Sequence, residues 1–296
     1  MKKRIFTGAG TALVTPMKED GSINYTKLES LVNSQIESGI DALIILGTTG
    51  ESPTIGYHER DLVVASAVKA AGGRVPVIVG AGSNDTARSV TLANLARDCG
   101  ADALLMVTPF YNKTSQNGII RHYNYIADRV DLPMILYNVP SRTGLNIKPE
   151  TYFELSKHPN ICAVKEANGN MESIRITKEL CGDELDIYSG NDTDIYDVLE
   201  LGGIGVISVL SNILPAAVHE MCAAYFDGNT EKCRSMQEKY MPFINSLFAD
   251  VNPIPVKEAM NMLGMDVGPL RLPLVPTDEK TRDLIKKEMV SLGLLK

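Results

Sequence analysis

The stretch LPMILYNVPSRTGLNIKPETYFELSKHPNICAVKE, residues 132–166, sets how the rest of the chain is read. It opens on an apolar run, LPMILYNVP (132–140), and closes on a second, ICAVKE (161–166). Between them PETYFELSKH (149–158) fits a helix. Runs this short are poor buried helices and read as strands covered on both faces, the pattern of a parallel sheet.

The alternation continues on both sides. Upstream runs are AGTALVT (9–15), DALIILG (41–47), VPVIVGAG (75–82) and ADALLMVTP (101–109); downstream runs are LDIYSG (185–190) and GIGVISV (203–209). Helical segments fill the gaps at 24–38, 58–71, 84–100, 116–130, 170–182 and 192–202. Asn24, Asn84 with Asp85, and Asp192 read as helix caps. Eight strand–helix units at fairly even spacing predict a closed (β/α)8 TIM barrel over a doubly wound open sheet. Further helical patterns at 215–226, 230–249, 252–263 and 277–293 exceed what the last unit needs. They predict a C-terminal helical extension packed on the barrel, with the division at 1–225 and 226–296.

The 296 residues are 44% hydrophobic and 22% charged, an ordinary globular composition. The net charge of −7 is mixed along the chain and offers no basic face for nucleic acid. Cys99, Cys162, Cys181, Cys222 and Cys233 are scattered, odd in number and form no CxxC. This argues against a disulfide framework or zinc finger and for reduced thiols in the cytoplasm. MKKRIFTGAG carries no apolar run long enough for a signal peptide, and no segment suits a membrane helix.

Barrel enzymes act at the C-terminal ends of their strands. Those ends supply GTTGES (47–52), TPFYNK (108–113), YNVPSRTG (137–144), Lys165 with Glu166, SGND (189–192) and SVLSN (208–212). His58, His122, His158 and His219 fall elsewhere without ligand spacing, so no metal site is expected. Strand alternation turns Lys165 inward with Ala163 and Ile161, and turns Glu166 away. An ammonium in a desolvated mouth has a lowered pKa, and the neutral amine is a nucleophile toward carbonyls. Tyr137 ends the neighbouring strand and can shuttle protons beside the amine; for an isolated tyrosine, amphipathic packing at the rim would be the favoured reading. Thr48 and Thr49 offer hydroxyls and N–H groups in a turn. Arg142 can bind a carboxylate or be a solvated loop residue. Gly202, Gly203 and Gly205 precede the last strand, so close packing at the barrel bottom explains them better than a phosphate site.

Taken together, GTTGES, TPFYNK, YNVPSRTG, AVKEAN, SGND and GGIGVIS resemble, in order and spacing, the pyruvate-dependent class I aldolases. The resemblance spans essentially the whole chain. Arg142 in YNVPSRTG favours the dihydrodipicolinate synthase branch over the N-acetylneuraminate lyase branch. The resemblance implies that Lys165 forms an imine with pyruvate and that Tyr137, Thr48 and Tyr111 relay protons. Tyr111 would cross to a neighbouring subunit, implying at least a dimer; the family is commonly a homotetramer. Thr49, Gly190 and Ile207 would line the pyruvate site, and Arg142 would meet the carboxylate of L-aspartate 4-semialdehyde. The cationic imine is the electron sink, so neither metal nor organic cofactor is implied.

One departure stands out. Lysine-inhibited relatives bind lysine near Ser52, Asn84 and the following helix, with an acidic residue where this chain has Arg88. Tyr57 and Arg60 replace residues that are often histidine there. The expectation is little or no inhibition by lysine. The rival readings are a lyase or keto-acid aldolase on the same scaffold, and a non-catalytic keto-acid sensor. A sensor needs no nucleophile.

Overall fold

The computed structural model describes residue 2 and residues 4–296; of the basic N-terminal run, Met1 and Lys3 lie outside the described residues. The strands are β1 (Gly8–Ala12), β2 (Ala42–Ile45), β3 (Val77–Gly80), β4 (Ala103–Val107), β5 (Met134–Asn138), β6 (Ile161–Glu166), β7 (Asp186–Ser189) and β8 (Gly205–Ser208). Each pairs in parallel with the next, and β8 returns to β1, closing the barrel. All eight predicted runs became strands, most of them trimmed at one or both ends. The trimmed residues form the turns that carry the chemistry.

The helices between strands are α1 (Tyr25–Glu37), α2 (Tyr57–Ala71), α3 (Thr86–Asp98), α4 (Gln116–Ala127), α5 (Pro140–Thr143), α6 (Pro149–Leu155), α7 (Met171–Cys181) and α8 (Ile195–Glu200). After β8 come α9 (Pro215–Phe226), α10 (Thr230–Ser246), α11 (Ile254–Met262) and α12 (Glu279–Ser291). The starts follow local chemistry. Asn24 accepts from the Lys27 N–H at 3.1 Å, and Asp85 from Ala87 at 2.9 Å, satisfying orphan donors of the first turn. Asn84, read with Asp85 as a cap, instead offers its carbonyl to Asn112 at 2.9 Å. α5, α6 and α9 each begin with proline, whose fixed φ suits a first turn.

Asp192 does not cap a helix. Its carboxylate turns back toward β8 and accepts from the N–H groups of Val209 and Leu210, each at 2.9 Å. Those donors at the next strand end are otherwise orphaned, and they outcompete the local turn.

Two apolar layers hold the barrel. Alternate strand residues such as Ile44, Ile78, Leu105 and Ile135 fill its interior, and their neighbours such as Leu43, Val79, Leu104 and Leu136 pack outward under the helices. A fully buried side chain of this size contributes about 1.5–3 kcal/mol. Gly205 (φ 154°) is required at the barrel bottom, because a Cβ there would lie 1.9 Å from the Gly8 carbonyl oxygen. This agrees with reading the glycine run as close packing.

The alternation expected for β6 fails at its start. Ala163 faces inward, but Ile161 belongs to the outer layer. Opposite β5, the register steps from Met134↔Ile161 to Ile135↔Ala163, so Cys162 is an extra residue. A β-bulge of this kind breaks the two-residue period. No helix among the described residues is long and apolar enough to cross a membrane.

Candidate active site

Register places the two candidate reactive side chains, Tyr137 and Lys165, side by side. Tyr137 on β5 pairs with Lys165 on β6, which pairs with Tyr188 on β7. Lys165 is 5% exposed, and its Nζ lies 4.5 Å from the centre of the Tyr137 ring. Burial lowers its pKa to about 8; Asp192 opposes the shift and Arg142 adds to it. At pH 7 the neutral fraction is roughly 300-fold that of an ordinary lysine.

Glu166 points to the other side of the strand, as alternation requires. Its oxygens accept from Tyr152 Oη at 2.8 Å, Asn138 Nδ2 at 2.9 Å and the Asn168 N–H at 3.0 Å. Burial raises its pKa to about 7 against those hydrogen bonds. It is an anchor for the ends of β5 and β6, and no partner for Lys165.

The Tyr137 phenol is almost wholly buried, which raises its pKa; the Arg142 charge and the nearby Thr48 side chain oppose the rise. Thr48 follows β2 in a turn closed by Gly50 N–H to Gly47 oxygen at 3.1 Å. A small cavity at the mouth is lined by Gly47, Thr48, Gly82, Leu105, Val107 and Tyr137. Ile207 on β8 faces the interior with Tyr137 and Ala163. The Gly190 N–H donates to the Glu166 carbonyl at 2.7 Å, and a Cβ at Gly190 would sit 2.7 Å from that of Ala167. Only glycine permits the 189–192 turn to lie that close to the end of β6.

Two predicted residues are reached from an unexpected direction. Asn252, in the segment before α11, donates through Nδ2 to Thr49 Oγ1 at 2.9 Å. Its carbonyl accepts from Arg142 Nη2 at 3.0 Å. Its own Oδ1 is buried without a partner among the described residues. Tyr111 stands apart from the cluster: it is 90% exposed, with φ 66°.

The same C-terminal segment locks the β2–α2 loop. Lys257 Nζ on α11 lies 2.8 Å from Glu51 Oε1, both fully buried, and also donates to the carbonyls of Thr15 and Pro269. The second Glu51 oxygen accepts from the Arg271 N–H at 2.9 Å. Glu51 takes a left-handed backbone (φ 54°) to aim its carboxylate there.

A buried amine, a phenol, a threonine hydroxyl and a rim guanidinium suit imine chemistry on a small anionic carbonyl compound. The dihydrodipicolinate synthetase family model matches residues 5–291. The chain belongs to the dihydrodipicolinate synthetase family. It is 51% identical over 290 residues to a 4-hydroxy-tetrahydrodipicolinate synthase of Caldicellulosiruptor saccharolyticus, covering 98% of each chain. The dihydrodipicolinate synthase structure from Thermotoga maritima superposes with a TM-score of 0.96 at 45% identity, covering 99% of this chain and 100% of that one. One from Cyanidioschyzon merolae with lysine bound gives 0.96 at 40% identity, again covering 99% and 100%. The contacts of Asn252 with Thr49 and of Lys257 with Glu51 had no sequence signal in a single chain, because each spans more than 200 residues.

Proposed function

We propose that the chain is a 4-hydroxy-tetrahydrodipicolinate synthase, condensing pyruvate with L-aspartate 4-semialdehyde in lysine and diaminopimelate biosynthesis. The observation that carries this reading is the buried Lys165 amine beside Tyr137, without a salt-bridge partner among the described residues, with Arg142 at the rim. Lys165 attacks the pyruvate ketone, and water leaves to give a protonated imine. The imine draws the electrons of a methyl C–H bond, and the resulting enamine carbon attacks the aldehyde. The substrate's own amine then displaces Lys165 and closes the ring. Tyr137 and Thr48 move the protons, joined by Tyr111 of a neighbouring subunit. Thr49, Gly190 and Ile207 seat pyruvate, and Arg142 binds the carboxylate of the aldehyde.

The same reading makes the protein a cytoplasmic homo-oligomer of two or more chains, a tetramer built as a dimer of dimers. The five free cysteines suit that compartment. Residues 226–296 serve as an extension that braces the barrel. Borohydride reduction in the presence of pyruvate should fix the three-carbon unit on the peptide carrying Lys165, read by mass spectrometry. A coupled assay should then show turnover with L-aspartate 4-semialdehyde. Arg142→Ala should cut kcat/KM for the aldehyde by about a hundredfold, as expected for losing a charge-assisted bidentate contact, while pyruvate trapping persists. Trapping at another residue, or equal loss of both, would sink the assignment.

A further inference from the structure

We propose that Asp192 is a positioning residue whose buried carboxylate serves as the fixed counter-charge for the Lys165 nitrogen. The proposal rests on the reading of Lys165 as the imine-forming amine and deepens it.

Asp192 is 2% exposed. Its Oδ2 is held by the N–H groups of Val209 and Leu210, each at 2.9 Å. Burial raises the Asp192 pKa; the nearby Ser208 side chain, the backbone donors and the Lys165 charge oppose that rise and favour the ionised form. Its Oδ1 is equally buried and has no partner among the described residues. A buried carboxylate left without a nearby cation is costly.

The groups around it are few. Ser208 comes from β8 and Cys222 from α9, and Gln237 on α10 donates to the Asp192 carbonyl at 2.8 Å. Burial pushes the Cys222 thiol well above its usual range, so it stays neutral. The Lys165 charge lowers the Asp192 pKa, and Asp192 is the anion that opposes the fall in the Lys165 pKa. Lys165 is otherwise faced by the Tyr137 ring and by the Arg142 charge.

The two do not form a contact ion pair. The other buried lysine, Lys257, does, with Glu51 at 2.8 Å. A contact pair would hold the ammonium form. A carboxylate set further off lets the amine lose its proton, yet favours positive charge when it returns. That return is built into the reaction. The nitrogen lone pair forms the C–N bond and the carbonyl π pair moves to oxygen. One N–H proton and one external proton carry that oxygen away as water, and the nitrogen is left as a protonated imine. A neutral site thus becomes a cation, and a preorganised negative charge stabilises that change without reorganising.

The test is the pH profile of kcat/KM for pyruvate in wild type, Asp192→Asn and Asp192→Glu, with borohydride trapping alongside. Asparagine can still accept the two backbone N–H bonds, so Asp192→Asn removes mainly charge. Its acid limb should move down by about one pH unit, and its plateau should fall about tenfold. The two profiles then converge on the acid side. Asp192→Glu should keep the wild-type limb. Should Asp192→Asn not fold, Asp192→Ser, which keeps one acceptor, carries the same expectation. A profile that falls uniformly with an unmoved limb, or a limb that moves up, overturns the assignment. Trapping in the wild type reports on the parent reading alone. Label missing from Lys165 sinks that reading, whereas labelled Lys165 with an unmoved limb sinks only the role of Asp192.

Discussion

Lys165 sets a chemical need against a thermodynamic one. Its pKa is about 8 in the folded chain and near 10.5 when unfolded, so folding disfavours its charged form. The unfolded state binds more protons between those values, so stability rises with pH across that window. Below pH 8 the penalty is present in full, at most about 3 kcal/mol. Lys165→Met should therefore raise the melting temperature at pH 7 while abolishing turnover, and the gain should shrink as pH rises toward the unfolded value. Calorimetry across that range would show it, and a loss of stability at pH 7 would contradict it. A second residue-scale expectation concerns Arg88. It sits exposed on α3, and Arg60, 8% exposed, has its pKa brought down to about 10 by burial and then by Arg88. A cationic ligand placed between these guanidiniums meets repulsion. Low-millimolar lysine should leave the steady-state rate unchanged, and strong inhibition would refute this. Lys165, Tyr137 and Arg142 were legible because each ends or follows a strand whose apolar run is plain. Asp192 was misread, because its partners are backbone N–H groups that no residue type advertises.

At the scale of elements, α11 and the segment before it act as a clamp on the mouth. Asn252 holds Thr49 and Arg142 together, while Lys257 holds the loop through Glu51. Removing one partner of a buried ion pair strands the other charge, at a cost of about 3–5 kcal/mol. Lys257→Met should lose about that much in denaturant unfolding, and adding Glu51→Gln should restore much of it. If the double variant is no better than the single one, the stranded charge is not the cause. The helices themselves were legible from their period. What they touch was not, since a lysine in the helical pattern 252–263 reads as a solvated face. Burial of Lys257 becomes visible only once the barrel has brought the β2–α2 loop beneath it.

At the scale of the whole molecule, the proposed relay residue Tyr111 stands outside its own chain's site. Tyr111 is 90% exposed on the loop after β4, in a left-handed conformation that a tyrosine adopts at some cost. If it serves a neighbouring subunit, inactive Tyr111→Phe and Lys165→Ala chains should complement when mixed and reassociated. Half the pairs are then hybrids with one intact site of two, so about a quarter of wild-type activity should return. No recovery in demonstrably mixed oligomers would argue against the crossing. The closed barrel was legible at this scale because eight apolar runs recur at even intervals. The bulge in β6 was not, since Ile-Cys-Ala-Val reads as an unbroken run. That irregularity has a further meaning. Ile161 and Ala163 take consecutive rungs against β5, so Cys162 is supernumerary. A shorter chain lacking it would form an uninterrupted ladder and still present its amine to the interior. The inward aim of Lys165 is therefore set by the unbroken register from Ala163 upward, against Ile135 on one side and Asp186 on the other, and owes nothing to the residues beneath the bulge.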